Sequence, residues 1–192
     1  MEPFEPVRKV ASVLESFRRP WWVAGGWAID LLVERETRAH EDVEVAILRG
    51  DQGTLRDHLR GWRLERVARG SPTRIPWADG EWIGPPDHEV HARSPDGTFE
   101  LEILLNEGEG PTWRFRRDPR ITRPLALAGM RTADGVPFLA PEIVLLYKAK
   151  EPRERDVHDF RVARGALDED RRAWLRDALA AVHPGHPWIR EL

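Results

Sequence analysis

Asp42 and Glu44 stand two residues apart in the segment Asp42-Val43-Glu44-Val45-Ala46-Ile47-Leu48. On a β-strand that spacing sends both side chains to the same face, with Cα atoms about 6.6 Å apart. Val43, Val45 and Ile47 then take the opposite, buried face. Two carboxylates held side by side on a rigid strand repel each other unless a cation lies between them. A pair of Mg²⁺ ions about 3.5–4 Å apart is a common solution in phosphoryl and nucleotidyl transfer. Mg²⁺ takes oxygen ligands and keeps several of its waters, so few carboxylates suffice. Taken alone, an acidic pair of this kind is more often the solvent face of an antiparallel strand. Its surroundings decide between the two.

Sixteen residues earlier, Gly25-Gly26 ends the apolar run Trp21-Trp22-Val23-Ala24 and opens an apolar helical stretch. Free N–H groups at such a helix start can face a phosphate without a Cβ in the way. The order strand, glycine pair, short helix, acidic strand therefore sets a phosphate cradle beside a metal platform. A third carboxylate would close the metal site. Phe99-Glu100-Leu101-Glu102-Ile103-Leu104-Leu105 puts Glu100 and Glu102 on one face of an otherwise apolar strand, where charge needs a metal, a partner or water. Either can serve as third ligand or as the base for an acceptor hydroxyl. Glu102, deeper in the run, is preferred.

Other groups surround this constellation. Arg38 and His40 precede the acidic strand, placed to orient Asp42 or to contact nucleotide phosphates. Asp30 lies in the apolar stretch Trp27–Val33 and needs a partner, for which Arg38 is the candidate. The chain has only three lysines, Lys9, Lys148 and Lys150, among 30 basic residues. Helical spacing sets Lys148 and Lys150 about 200° apart, so one should face a cleft, and Lys148 is the candidate for a triphosphate. Asp156 and Asp159 share a helix face and read as salt-bridge partners of Lys148. Trp113-Arg114-Phe115-Arg116-Arg117-Asp118-Pro119-Arg120 interleaves arginines with aromatic residues, which suits RNA or a phosphorylated acceptor, or internal salt bridges. His88 and His91 are too close for the i, i+4 helical histidine pair of a zinc protease. On a strand their odd spacing sends the rings to opposite faces, so zinc is not expected.

The elements that must position these groups follow from periodicity. A helix is predicted over residues 5–18, strands over 21–24, 43–48 and 62–67, and helices over 27–33 and 51–60. Residues 70–87, rich in Pro, Gly and Trp, read as an ordered surface loop. Residues 89–93 and 99–105 flank Asp96-Gly97 as a β-hairpin. Pro141 marks the first turn of a helix to about Lys150. Helices over 153–165 and 168–183 follow, the last capped by Asp168 with Trp174, Leu175, Ala178, Leu179 and Val182 inward. The fold class is α+β, a mixed sheet with flanking helices and a C-terminal helical segment. The expected division is an α/β core over residues 1–140 and a helical subdomain over 141–192.

With 192 residues and 41% hydrophobic content the chain can bury a substantial core. No cysteine is present, which excludes disulfides, thiolate metal sites and a cysteine nucleophile. No apolar run reaches 18 residues, and the amphipathic start lacks a signal-peptide core. A cytoplasmic protein with no membrane partner is the expectation. A net charge of −3 gives no general attraction to nucleic acid, which is not expected as a partner.

Trp22-Val23-Ala24-Gly25-Gly26-Trp27-Ala28-Ile29-Asp30-Leu31, followed by Thr37-Arg38-Ala39-His40-Glu41-Asp42-Val43-Glu44-Val45, resembles the minimal nucleotidyltransferases related to aminoglycoside and lincosamide adenylyltransferases. The likeness is specific over residues 22–49 and continues more loosely through the strand at Glu100 and the Tyr147-Lys148 helix. It implies a nucleotidyltransferase-type sheet and transfer of a nucleoside monophosphate, with ATP the favoured donor, to a hydroxyl-bearing acceptor. It further implies two Mg²⁺ ions, with Asp42 and Glu44 as the first two metal-binding carboxylates, Glu102 or Glu100 as the third, and Gly25 and Gly26 as the phosphate loop. Glu44 stands where many members carry Asp, which moves that carboxylate outward by about one methylene. The alternative is a non-catalytic member of the same fold that binds a nucleotide or a protein partner, as a regulatory or antitoxin-like module.

Overall fold

The computed structural model of the chain describes residues 3–68, 70 and 73–192. In order these form α1 (Glu5–Val13), β1 (Trp21–Val23), α2 (Gly25–Leu32), β2 (Glu44–Leu48), α3 (Gln52–His58), β3 (Arg63–Val67), β4 (Arg74–Pro76), β5 (Glu89–Arg93), β6 (Glu100–Glu109), β7 (Thr112–Arg114), β8 (Thr122–Pro124), β9 (Gly129–Arg131), β10 (Pro137–Leu139), α4 (Pro141–Lys148), α5 (Glu154–Ala163) and α6 (Glu169–Val182). Among the described residues no helix is long and apolar enough to cross a membrane.

Val45, Ala46 and Ile47 are all buried, and a strand covered on both faces reads as such an unbroken apolar run. β2 accordingly lies inside the sheet, whose order is β4-β3-β5-β6-β2-β1-β10-β9. It runs parallel to β6 and antiparallel to β1, and β1 runs parallel to β10. The pairs β5–β6, β3–β5, β3–β4 and β9–β10 are antiparallel, so the sheet is mixed. β6 is the longest strand. Its first half pairs with β2 and β5, while Glu107, Gly108 and Glu109 pair with β7, which pairs in turn with β8.

Two helices are enclosed along most of their length, as their largely apolar sequences require, with Asp30 and Glu142 as their buried acidic residues. In α2, Gly26 through Leu31 are all buried. In α4, Pro141 through Leu146 are all buried, and this helix packs against α2, α5 and α6. α6 buries Leu175, Ala178 and Leu179, with Trp174 and Val182 half-buried at the edge. Its N-cap is Asp168, whose side chain accepts from the Arg171 N–H at 2.8 Å.

Several boundaries differ from the sequence reading. α1 ends at Val13, not residue 18, because Leu14 leaves helical backbone geometry. The turn after it still buries Leu14 and Phe17, the latter with its ring 5.4 Å from that of His58. α2 begins at Gly25 itself, so the glycine pair forms the first helical turn and not a linker before Trp27. The segment over 70–87 contains the short strand β4 and sends Trp77 and Ile83 into the core; its residues 71 and 72 lie outside the described residues. β7 to β10 were not foreseen, since three-residue strands are too short to print an alternation.

Candidate active site

β2 brings Glu44 to the mouth of α2. Gly25 takes a left-handed backbone, φ +59°, and a Cβ there would overlap the Glu44 carboxylate. A Cβ on Gly26 would overlap the Arg38 guanidinium. Both glycines are thus required by close approach, and by conformation at Gly25. The Ala24 N–H donates to the Glu44 carbonyl at 2.8 Å, which fixes the start of α2 beside the start of β2. Asp42 lies in the extended segment that enters β2 and is exposed. Its carbonyl accepts from the Trp27 indole at 2.9 Å. The same indole stacks on the His40 ring, with centroids 4.2 Å apart.

The parallel register pairs Glu44 directly with Glu102. Burial pushes the Glu44 carboxyl above its usual range, with nearby Lys148 opposing and Asp42 adding to the rise. Burial, then the neighbouring charges of Glu44, Glu89 and Asp42, push Glu102 up to about 7. Crowded carboxylates held above their ordinary values are what a divalent cation would relieve. Their hard oxygen donors suit Mg²⁺, so Asp42, Glu44 and Glu102 fit such an ion chemically.

Glu100 goes elsewhere. It is the partner of Arg93 across the hairpin and bonds to Arg74 at 2.5 Å and Arg93 at 2.8 Å. Burial acts to raise its carboxyl, and those bonds override it and hold the group low. It does not line the cavity described below, and its remaining contact is with His91 Nδ1 at 3.3 Å. His88 and His91 share no site either. His88 contacts the Pro86 carbonyl, whereas His91 pairs with Glu89 at 2.8 Å. His91 joins Glu89 and Glu102 in a group whose candidate ligand atoms all lie within 4.8 Å of one another, a grouping the sequence did not suggest.

A second set of ion pairs ties the loop before β2 to the C-terminal helices. The Asp30 carboxylate, fully buried, accepts from Thr37 at 2.6 Å and meets His40 Nε2 at 2.7 Å. Arg38, the expected partner of Asp30, instead donates twice to Asp159, at 2.8 and 3.0 Å. Lys148 reaches both Asp156 and Asp159, at 2.8 and 3.0 Å. Arg38 and Lys148 are therefore bound internally, and Asp159, with no side-chain exposure, holds both.

Gly25, Gly26, Arg38, His40, Asp42, Glu44, Glu102 and Lys148 all line one cavity of about 320 Å³. Lys150 lines it too, against the expectation of opposite faces, because α4 ends at Lys148 and helical spacing stops there. Sequence reasoning missed Asn106, Tyr147, Arg153 and Arg155, all in the wall. Asn106 shares the strand parity of Glu102, a signal that was present. Arg116 and Arg117 line the cavity as well.

A model of the aminoglycoside-2''-adenylyltransferase family matches residues 6–162. Curated relatives described as 2''-aminoglycoside nucleotidyltransferase, from Escherichia coli and Klebsiella pneumoniae, are each 30% identical over 67 residues, which is 33% of this chain and 38% of the relative. The alignment thus spans well under half the length of those relatives. Among solved structures, ANT(2'')-Ia in complex with adenylyl-2''-tobramycin superposes with a TM-score of 0.61 at 19% identity, covering 92% of this chain and 96% of that one. Lincomycin-bound lincosamide adenylyltransferase LnuA gives 0.58 at 14% identity, covering 85% and 97%. At these identities the structural likeness establishes the mixed sheet with flanking helices.

Proposed function

The chain belongs to the aminoglycoside-2''-adenylyltransferase family, and on that premise we propose that it transfers a nucleoside monophosphate from an NTP to a hydroxyl of a small-molecule acceptor, releasing pyrophosphate. ATP is the favoured donor, and the reaction is assigned to the cytoplasm. The observation that carries the reading is the direct pairing of Glu44 with Glu102 beside the glycine-opened N-terminus of α2.

In this reading Asp42, Glu44 and Glu102 hold Mg²⁺, which when bound supplies Lewis-acid stabilisation of charge at the α-phosphate. The N–H groups at the start of α2 cradle the donor phosphates, helped by the positive end of the helix. Glu102, beside Glu44 on the same sheet face, serves either as the third ligand or as the base that takes the proton of the attacking hydroxyl. Asp159 keeps Lys148 and Arg38 at the cavity edge. The α/β core of residues 1–140 supplies the carboxylates and glycines, and the helical segment of residues 141–192 supplies the opposing wall.

The test is pyrophosphate release from Mg-ATP across a panel of hydroxyl acceptors that begins with tobramycin and lincomycin, run beside Asp42→Asn. Release that depends on acceptor and metal and is lost in the variant supports the proposal. Metal-dependent ATP binding with no release across the panel would favour the non-catalytic reading instead.

A further inference from the structure

Residues two apart on a strand share a face, so Glu89 and His91 of β5 lie on one side of the sheet. The antiparallel register sets His91 directly opposite Glu102 on β6, and Glu102 stands directly opposite Glu44 on β2. One row across the sheet therefore reads Glu44, Glu102, His91. An oxygen of Glu89, a ring nitrogen of His91 and an oxygen of Glu102 come within 4.8 Å of one another. Ligand atoms on opposite sides of one ion, each about 2.0–2.2 Å from it, stand up to about 4.4 Å apart. A small closure of the side chains therefore brings all three onto a single ion.

Behind the imidazole stands an anchored carboxylate. His91 is 7% exposed, its Nε2 meets Glu89 at 2.8 Å, and its Nδ1 lies 3.3 Å from Glu100. Glu100 is itself held by Arg74 and Arg93. Metal-ligating histidines usually give their other ring N–H to such a carboxylate, which fixes the ring and raises its basicity. Glu100, outside the cavity but on the same face of β6 as Glu102, is placed for that outer role. Glu89 and Glu102 both line the cavity, so an ion reaches the group from solvent. Among the described residues neither has a lysine or arginine within ion-pairing distance; Glu89 pairs with His91 alone.

The donor set selects the ion. A site of oxygens alone suits Mg²⁺, whereas an imidazole nitrogen beside carboxylates suits a transition metal such as zinc. Zinc with three protein ligands keeps a fourth position open. We propose that Glu89, His91 and Glu102 form a second cation site, for a divalent transition metal of the zinc class, which shares only Glu102 with the Mg²⁺ platform of Asp42 and Glu44. The histidine pair set aside on sequence grounds, His88 with His91, is not this site; its histidine is His91 alone, joined by a carboxylate two residues away. The site does not require the transfer reaction proposed above, and Glu102 is the link between the two.

The test is titration with Co²⁺ in a large excess of Mg²⁺, followed by visible absorption, with Zn²⁺ added afterwards as competitor. It is run on the wild type and on His91→Gln, Glu89→Gln, Glu100→Gln and Asp42→Asn. The expected result is one Co²⁺ per chain, displaced by Zn²⁺, with affinity at least about tenfold weaker in His91→Gln and Glu89→Gln. Glu100→Gln should also weaken it by about tenfold, the usual cost of losing an outer-shell carboxylate. Asp42→Asn should bind Co²⁺ within about twofold of wild type. Glu89, at the cavity surface, keeps the test decisive if His91→Gln does not fold. Absence of Co²⁺ binding to the wild type in excess Mg²⁺ would overturn the proposal, as would unchanged affinity in His91→Gln or Glu89→Gln. Equal loss in Asp42→Asn would also overturn it, by giving the ion to the Asp42 and Glu44 platform. Intact Co²⁺ binding without pyrophosphate release would support this site while sinking the transfer reading.

Discussion

Glu44 and Glu102 are direct partners in the parallel ladder between β2 and β6, so the two carboxylates share one face of the sheet. Without metal this arrangement is destabilising. The Glu102 carboxyl is raised to about 7 from an ordinary 4.5, so the native state binds its proton more tightly than the unfolded chain. Stability is then fully present below about pH 4.5 and declines as pH rises to about 7. Glu102→Gln in EDTA should accordingly be more stable than wild type at pH 8, by about 2 kcal/mol, with the gain shrinking as pH falls towards 4.5. Urea melts at the two pH values decide it. Saturating Mg²⁺ should reduce or reverse the gain.

Asp42 is exposed, and the Trp27 indole bonds its main chain and not its carboxylate. Asp42→Asn should therefore leave the melting temperature within about 1 °C, since surface substitutions commonly cost under about 0.5 kcal/mol. Loss of metal-assisted stabilisation amounts to several kcal/mol, roughly a 10²–10⁴-fold drop in turnover. A variant with near-normal turnover would show that Asp42 holds no catalytic metal.

Gly25→Ala combines two faults, a left-handed backbone and an overlap with the Glu44 carboxylate. The conformational part alone costs about 1–2 kcal/mol. We expect a lower melting temperature together with weaker Mg²⁺ binding, measured by calorimetry, because Glu44 must move. Unchanged Mg²⁺ affinity would detach Glu44 from the metal.

Asp156 offers a contrast in sign. Burial acts to raise its carboxyl, but hydrogen bonds from Lys148 and Arg153 override this and hold it at about 2. Its contribution is present above about pH 4 and is lost as pH falls towards 2. Asp156→Asn should be less stable than wild type by about 2 kcal/mol at pH 7, with the difference closing in acid. Denaturant titration from pH 7 down to pH 2 gives the comparison.

Asp159 is buried against both Arg38 and Lys148. Asp159→Ala leaves two cations without this partner, a change of the kind that costs about 3–5 kcal/mol. A melting temperature close to wild type would mean that solvent or Asp156 replaces it.

The glycine doublet beside the acidic strand was legible because its signals are local: an i, i+2 acidic pair, two adjacent glycines and an apolar helix. The choice between Glu100 and Glu102 is not local. Both share one face by period two, and only the register of β6 against β2 sets Glu102 opposite Glu44 and leaves Glu100 to Arg93. The pairing of Arg38 with Asp159 spans 121 residues, so no spacing in the chain could have shown it. Lys150 was misplaced by extending helical periodicity past the end of α4. β7 to β10 were invisible because each contributes three residues whose pairing partners lie elsewhere.

The strand β6 belongs to two ladders at once. Its first half is locked between β2 and β5, while β7 and β8 pair only with its far end and with each other. Residues 110–124 are nonetheless held from a second side: Trp113, Phe115 and Ile121 are buried in the core, and Arg123 pairs with Glu142 of α4 at 2.7 Å. A change in this segment is therefore felt along β6 and, through Glu142, at the first turn of α4.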